Sequence, residues 1–163
     1  MISQLKLIAL LWLSLVASTA WATMPIRATI TIGDLDGWIT GSACCRVSVP
    51  ENEVLLTIRK GENCRSGGTP VGRFELVDGK LWLVGLLACK GAIPLRDVYP
   101  ESTGPVVASW LTGTFDVQLM VACPPEGGSK SNRARRELTL RDGIDVSTAE
   151  QTTLVSDCAT APE

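Results

Sequence analysis

The sequence predicts a mostly-β protein: a disulfide-stapled antiparallel β-sandwich or barrel with at most one short helix. Three observations carry this expectation. Short stretches of alternating apolar and polar residues recur at intervals of roughly 8–12 residues. Gly, Pro and Asp-Gly pairs punctuate them. The six cysteines, at 44, 45, 64, 89, 123 and 158, are even in number, which in an exported chain stands for disulfides.

Export is the reading of the N-terminus. Lys6 supplies a positive charge, Leu7–Val16 an apolar run, and Ala20-Trp21-Ala22 the small-x-small pattern of a signal peptidase site. The apolar run is about ten residues, half of what a spanning helix needs. Residues 1–22 are therefore expected to leave as a secretory signal, with 23–163 forming a single β-rich domain and no membrane anchor after cleavage. The expected location is periplasmic or secreted.

Element by element, Ile26, Ala28, Ile30 and Ile32 alternate with Arg27, Thr29 and Thr31, the period of a half-buried strand. Gly33–Gly37 breaks it, and Trp38–Thr40 resumes extended chain. Cys44–Val49 reads as strand up to Pro50, and Val54–Arg59, with three β-branched residues, as the next one. Asn63–Pro70 reads as a loop.

Arg73–Val84 carries the clearest local signal. Asp78-Gly79 is a favoured two-residue hairpin turn because both central positions need positive φ. That turn pairs Leu76 with Leu81 and Phe74 with Leu83 on one face. Glu75 faces Trp82 and Val77 faces Lys80 on the other.

Gly91–Pro105 reads as irregular. Pro105–Leu111 is the candidate helix, with Thr103 as a cap and Gly113 past its end, although Val106-Val107 favours a strand. Phe115–Val121 and Glu137–Arg141 alternate as strands. Asp142-Gly143 ends the latter, and Ile144–Ser156 holds one or two more.

The cysteines lack the C-x-x-C spacing of a zinc knuckle or a redox motif. Neighbouring strand residues point to opposite faces. Cys44 and Cys45 are therefore expected to bond to different partners, dividing Cys64 and Cys89 between them, with Cys123 bonded to Cys158. An echo between the two halves of the chain favours the alternative, Cys64–Cys89 with a vicinal Cys44–Cys45 bridge.

Composition excludes some chemistry. The chain has no histidine, so Ser-His-Asp and Cys-His catalysis and His-ligated metals are out. Net charge is −2, which gives no overall attraction to nucleic acid. Asp34 and Asp36 fall short of a calcium loop, because position twelve is Cys45 rather than glutamate. Asp97 and Glu101, flanking Tyr99, could form an acid–base pair, but no supporting motif accompanies them.

Lys130, Arg133, Arg135 and Arg136 form the one basic cluster. Trp38, Trp82 and Trp110 remain after signal removal, and Trp82 lies on the hairpin face away from Phe74. Packing between two sheets is the expected place for these tryptophans, with an exposed, ligand-facing Trp82 as the alternative. Together these features predict a non-catalytic binding protein, with Trp82, Tyr99, Arg133, Arg135 and Arg136 as candidate binding residues. It would need no cofactor or metal and would engage another protein, as an inhibitor or an envelope-assembly component. A carbohydrate-binding module is the alternative, and a carboxylate-dependent hydrolase a third reading.

Overall fold

The computed structural model describes residues 26–42, 44–61, 70–121 and 133–149, and the backbone of 155–156. The expected signal segment, the Cys123–Cys158 pairing and Lys130 lie outside the described residues.

Seven strands close into a barrel. They are β1 (Thr29–Ile32), β2 (Leu35–Gly41), β3 (Val71–Val77), β4 (Lys80–Ala88), β7 (Gly113–Met120), β8 (Arg133–Arg141) and β9 (Ile144–Asp145). Around the ring the order is β8-β7-β2-β1-β3-β4, and β9 bridges β4 back to β8. Three short strands are accessory: β5 (Gly91–Ile93) and β6 (Val106–Val107) pair with β4, and β10 (Val155–Ser156) with β8. Of the sandwich and barrel alternatives, the chain adopts the barrel. Nearly all pairings are antiparallel, but β1 and β3 are parallel. A parallel neighbour needs a long crossover, and the helical segment between β2 and β3 supplies it.

The interior is filled by alternate residues of each strand. Ile30, Ile39, Phe74, Leu81, Leu83, Phe115, Val117, Leu119, Leu138 and Leu140 are all essentially buried. The β3–β4 hairpin has the expected register, Leu76 with Leu81, Phe74 with Leu83 and Glu75 with Trp82. Its turn residues Asp78 and Gly79 have φ of 50° and 69°. At Arg73 and Phe74 the register shifts, so that Arg73 lies opposite Gly85 and Val84 is left as the extra residue. That bulge reverses the inward parity of β4 and brings Leu86 and Ala88 into the core after Leu81 and Leu83.

Two helices form where at most one was expected. The segment Val54–Arg59 is not a strand but part of helix α1 (Glu53–Gly61). Asn52 caps it, its Oδ1 accepting the Leu55 N–H at 2.8 Å, with Glu53 in the first turn and Arg59 and Lys60 in the last. Leu55 is fully buried and Ile58 packs beside it. A good cap and one buried helical face thus outweigh the β-branched residues' strand preference. Asn52 also donates from Nδ2 to the Val98 carbonyl at 2.7 Å, tying α1 to the single turn α2 (Leu95–Val98). The proposed Pro105–Leu111 helix does not form. Val106 and Val107 become β6 because they can pair with Leu83 and Trp82, and a turn follows at Ser109-Trp110.

Cys44 and Cys45 are joined to each other, which corrects the expectation that they serve different partners. The opposite-face argument holds only on a strand. Here the Cys45 N–H donates to the Ser42 carbonyl, and Cys44 lies in a turn after β2 has ended. Cys45 is seated directly against the α-carbon of Gly113, where any side chain would meet its sulfur. Cys89 is also disulfide-bonded, so it cannot be shared with the 44–45 pair.

Two Asp-Gly turns close the barrel. Asp145 N–H donates to the Gly79 carbonyl and Leu81 N–H to the Gly143 carbonyl, each at 2.8 Å. Beside this seam Arg136 points inward from β8, level with buried Val117. Its Nη2 lies 2.9 Å from Asp145 Oδ2, and the two side chains are only 9% and 13% exposed. The other Asp145 oxygen accepts from Ser147 N–H and Oγ–H, while Ser147 Oγ accepts the Thr139 N–H.

Candidate functional site

The outer wall of the barrel gathers the polar and aromatic side chains that face away from the core. Register places them in two rows across β2, β1, β3 and β4. In one row Trp38 pairs with Thr29, Thr29 with Arg73, and Arg73 with Gly85 beside the Val84 bulge. In the next, Asp36 pairs with Thr31, Thr31 with Glu75, and Glu75 with Trp82. The tryptophans thus stand diagonally at opposite ends, three strand spacings apart, or about 14 Å at roughly 4.8 Å per strand.

A groove of about 320 Å³ runs over the first row, lined by Trp38, Thr29, Thr31, Asp36, Arg73, Glu75, Val84 and Met120 among others. A second, of about 380 Å³, includes Glu75, Val77, Lys80, Trp82, Val84 and Pro105. They share Glu75 and Val84, so the two form one continuous surface. Thr31 Oγ1 donates to Asp36 Oδ1 at 2.7 Å. Among the described residues, the side chains of Arg73 and Glu75 are exposed and make no ion pair or hydrogen bond.

The predicted binding residues separate into three groups. Trp82, Arg133 and Arg135 belong to the outer wall. Trp82 is half-buried between Glu75 and Val107, not in the interior. Arg133 lies with its guanidinium 5.5 Å from the centre of the Trp38 ring, a cation–π contact that holds the indole in place. Arg135 is exposed on β8 opposite Gln118.

Arg136 leaves the set. β8 extends back through the basic cluster, and the alternation of a strand turns Arg136 inward to Asp145, where its role is structural. Tyr99 stands apart from the wall, in a groove with Trp110. Of the two carboxylates beside it, Asp97 lies 3.7 Å from Arg96 on α2, while Glu101 lines that groove. Trp38, Glu75 and Arg73 are wall residues absent from the expected binding set, and Arg73 is the one that sequence reasoning did not single out at all. Its signal was present, since it shares the parity of Glu75 opposite Phe74, but its neighbours on β1 and β2 come from the parallel pairing.

Tyr99 donates its hydroxyl to the Pro50 carbonyl at 2.5 Å. Partial burial raises its pKa above the ordinary 10.0 by disfavouring the phenolate. With the folded value above the unfolded one, the contribution to stability is complete below about pH 10 and is lost as pH rises through the folded value. As the sole tyrosine, it can be titrated by ultraviolet difference absorbance. The expected midpoint lies above 10 in the native protein and returns toward 10 in denaturant, and Tyr99→Phe removes the step.

Comparison of the chain with protein-family models, curated proteins and solved structures finds no match in any of the three. The class that can be stated is the one the fold defines: a closed seven-stranded β-barrel with accessory strands, two short helices and a vicinal disulfide.

Proposed function

We propose that this is an exported, non-catalytic binding domain that engages another protein through the outer barrel wall between Trp38 and Trp82. The observation that carries the reading is the register itself. Two tryptophans and three arginines, Arg73, Arg133 and Arg135, occupy one wall together with the exposed carboxylate of Glu75. Trp and Arg are the side chains that most often dominate protein interfaces, and charges of both signs give such a surface its selectivity. The non-catalytic part of the reading draws support from Asp97 and Glu101, since Asp97 is turned to Arg96 and only Glu101 lines a groove.

The test is capture from an envelope extract by the tagged domain. Trp82→Ala and Arg73→Glu are expected to abolish capture, while Lys90→Ala, at an exposed turn, leaves it intact. Trp82→Ala should cost far less stability than the roughly 3–5 kcal/mol of a core aromatic. Equal capture by all variants would overturn the assignment of the wall.

A glycan is the second reading, because Thr29, Thr31 and Glu75 supply hydrogen-bonding groups between the two indoles. Saturable oligosaccharide binding abolished by Trp82→Ala, without protein capture, would favour it. Export is checked separately: material recovered outside the cytoplasm is expected to begin at Thr23 by mass spectrometry, and an intact Met1 would refute it.

A further inference from the structure

A groove of about 310 Å³ borders the wall at Leu83 and Val106 but shares no lining residue with either wall groove. Leu83, Pro50 and Val106 line it together with the aromatic residues Tyr99 and Trp110, and Glu101 and Ser102 complete it. Its volume is at the lower end of small-molecule sites, which run from about 300 to 1,000 Å³.

The polar atoms of the groove are nearly all engaged. Trp110 Nε1–H donates to the Ser48 carbonyl at 2.9 Å, and the Tyr99 hydroxyl to the Pro50 carbonyl. Ser102 Oγ–H donates to the Gly104 carbonyl at 2.5 Å. These bonds anchor both aromatic side chains by their polar ends to the 48–50 segment, fixing rings that line the groove. Among the described residues, the one side chain of the lining with no partner is the Glu101 carboxylate. No cationic side chain among the described residues lines the groove.

Two anchored aromatic side chains, apolar walls and a single free carboxylate match a cation that carries its charge under an apolar surface. A primary ammonium is a compact, strongly hydrated charge that gains little from apolar walls beside an exposed carboxylate. A trimethylammonium group has no N–H to satisfy. Its methyl groups pack on the walls, the aromatic faces attract its charge, and the carboxylate neutralises it. We propose that this groove binds the trimethylammonium group of a small choline-type molecule. The site is independent of the protein-binding wall.

Isothermal titration of the intact protein with choline tests this, alongside the neutral isostere 3,3-dimethyl-1-butanol. Choline is expected to bind saturably, shifting the Trp110 indole resonance, with the uncharged isostere at least about tenfold weaker. Glu101→Gln, an exposed position, should weaken choline several-fold without changing the thermal midpoint, and Trp82→Ala should leave choline binding unchanged. Equal binding of choline and isostere would overturn recognition of the charge. Absence of choline binding, or binding only to phosphatidylcholine vesicles, would overturn the small-molecule site.

Discussion

Gly143→Ala is expected to destabilise the protein by about 3–5 kcal/mol, combining backbone strain and steric overlap. Gly143 has φ of +74°, and a Cβ there would stand 2.7 Å from the Ala108 carbonyl oxygen and 2.8 Å from its carbon. Both are backbone atoms and cannot swing aside. Gly143 also donates its N–H to the Leu111 carbonyl and accepts from Leu81, so displacing it opens the seam where β9 closes the barrel. Gly79 is the control. It has a similar φ of +69° but nothing within 4 Å of an added Cβ, so Gly79→Ala should cost only about 1 kcal/mol, the conformational part alone. Urea unfolding of the two variants separates the terms. Equal losses would show that the contact with Ala108 does not constrain the seam.

Asp145→Ala is expected to cost a similar amount, about 3–5 kcal/mol, because it leaves the Arg136 guanidinium buried without its counter-charge. The pair is not an optimal one: Arg136 Nε is buried with no hydrogen-bond partner. Replacing both members with apolar residues, Arg136→Met with Asp145→Leu, should therefore be much less damaging than Asp145→Ala alone. A double-mutant cycle measured by denaturation reads the coupling directly. If the double variant lost the sum of the two single losses, the ion pair would not be what joins β8 to β9.

The hairpin from β3 to β4 was legible residue by residue, because Asp78-Gly79 admits few geometries and the alternation around it tolerates only one register. The parity break at Val84 was legible in principle, since Leu81 and Leu83 are followed by Leu86 and Ala88. The segment after Pro50 reads as strand because its β-branched residues favour extended chain and Glu51-Asn52-Glu53 suits a polar turn, but Asn52 serves as a helix cap with Leu55 three positions on. For the candidate site, the hairpin register sets Trp82 on the face opposite Phe74, but whether that face is packed or open depends on the barrel and not on the sequence. Charge alone groups Arg136 with Arg133 and Arg135, and only the alternation of β8 separates it by turning it inward to Asp145.

The sequence by itself determined the local terms of this protein: its β-rich alternation, its two Asp-Gly turns and the faces of its clearest hairpin. These follow from backbone sterics and a two-residue period, which act between near neighbours. Tertiary structure alone decided that β1 runs parallel to β3, that β9 closes a barrel, and that Cys44 bonds to Cys45 in a turn. It also decided that Trp38, Arg73 and Trp82 share one wall and that Tyr99 meets Trp110 in another groove. Those outcomes depend on pairings between distant segments, whose free energy comes from filling one interior jointly. No short stretch of sequence contains that sum.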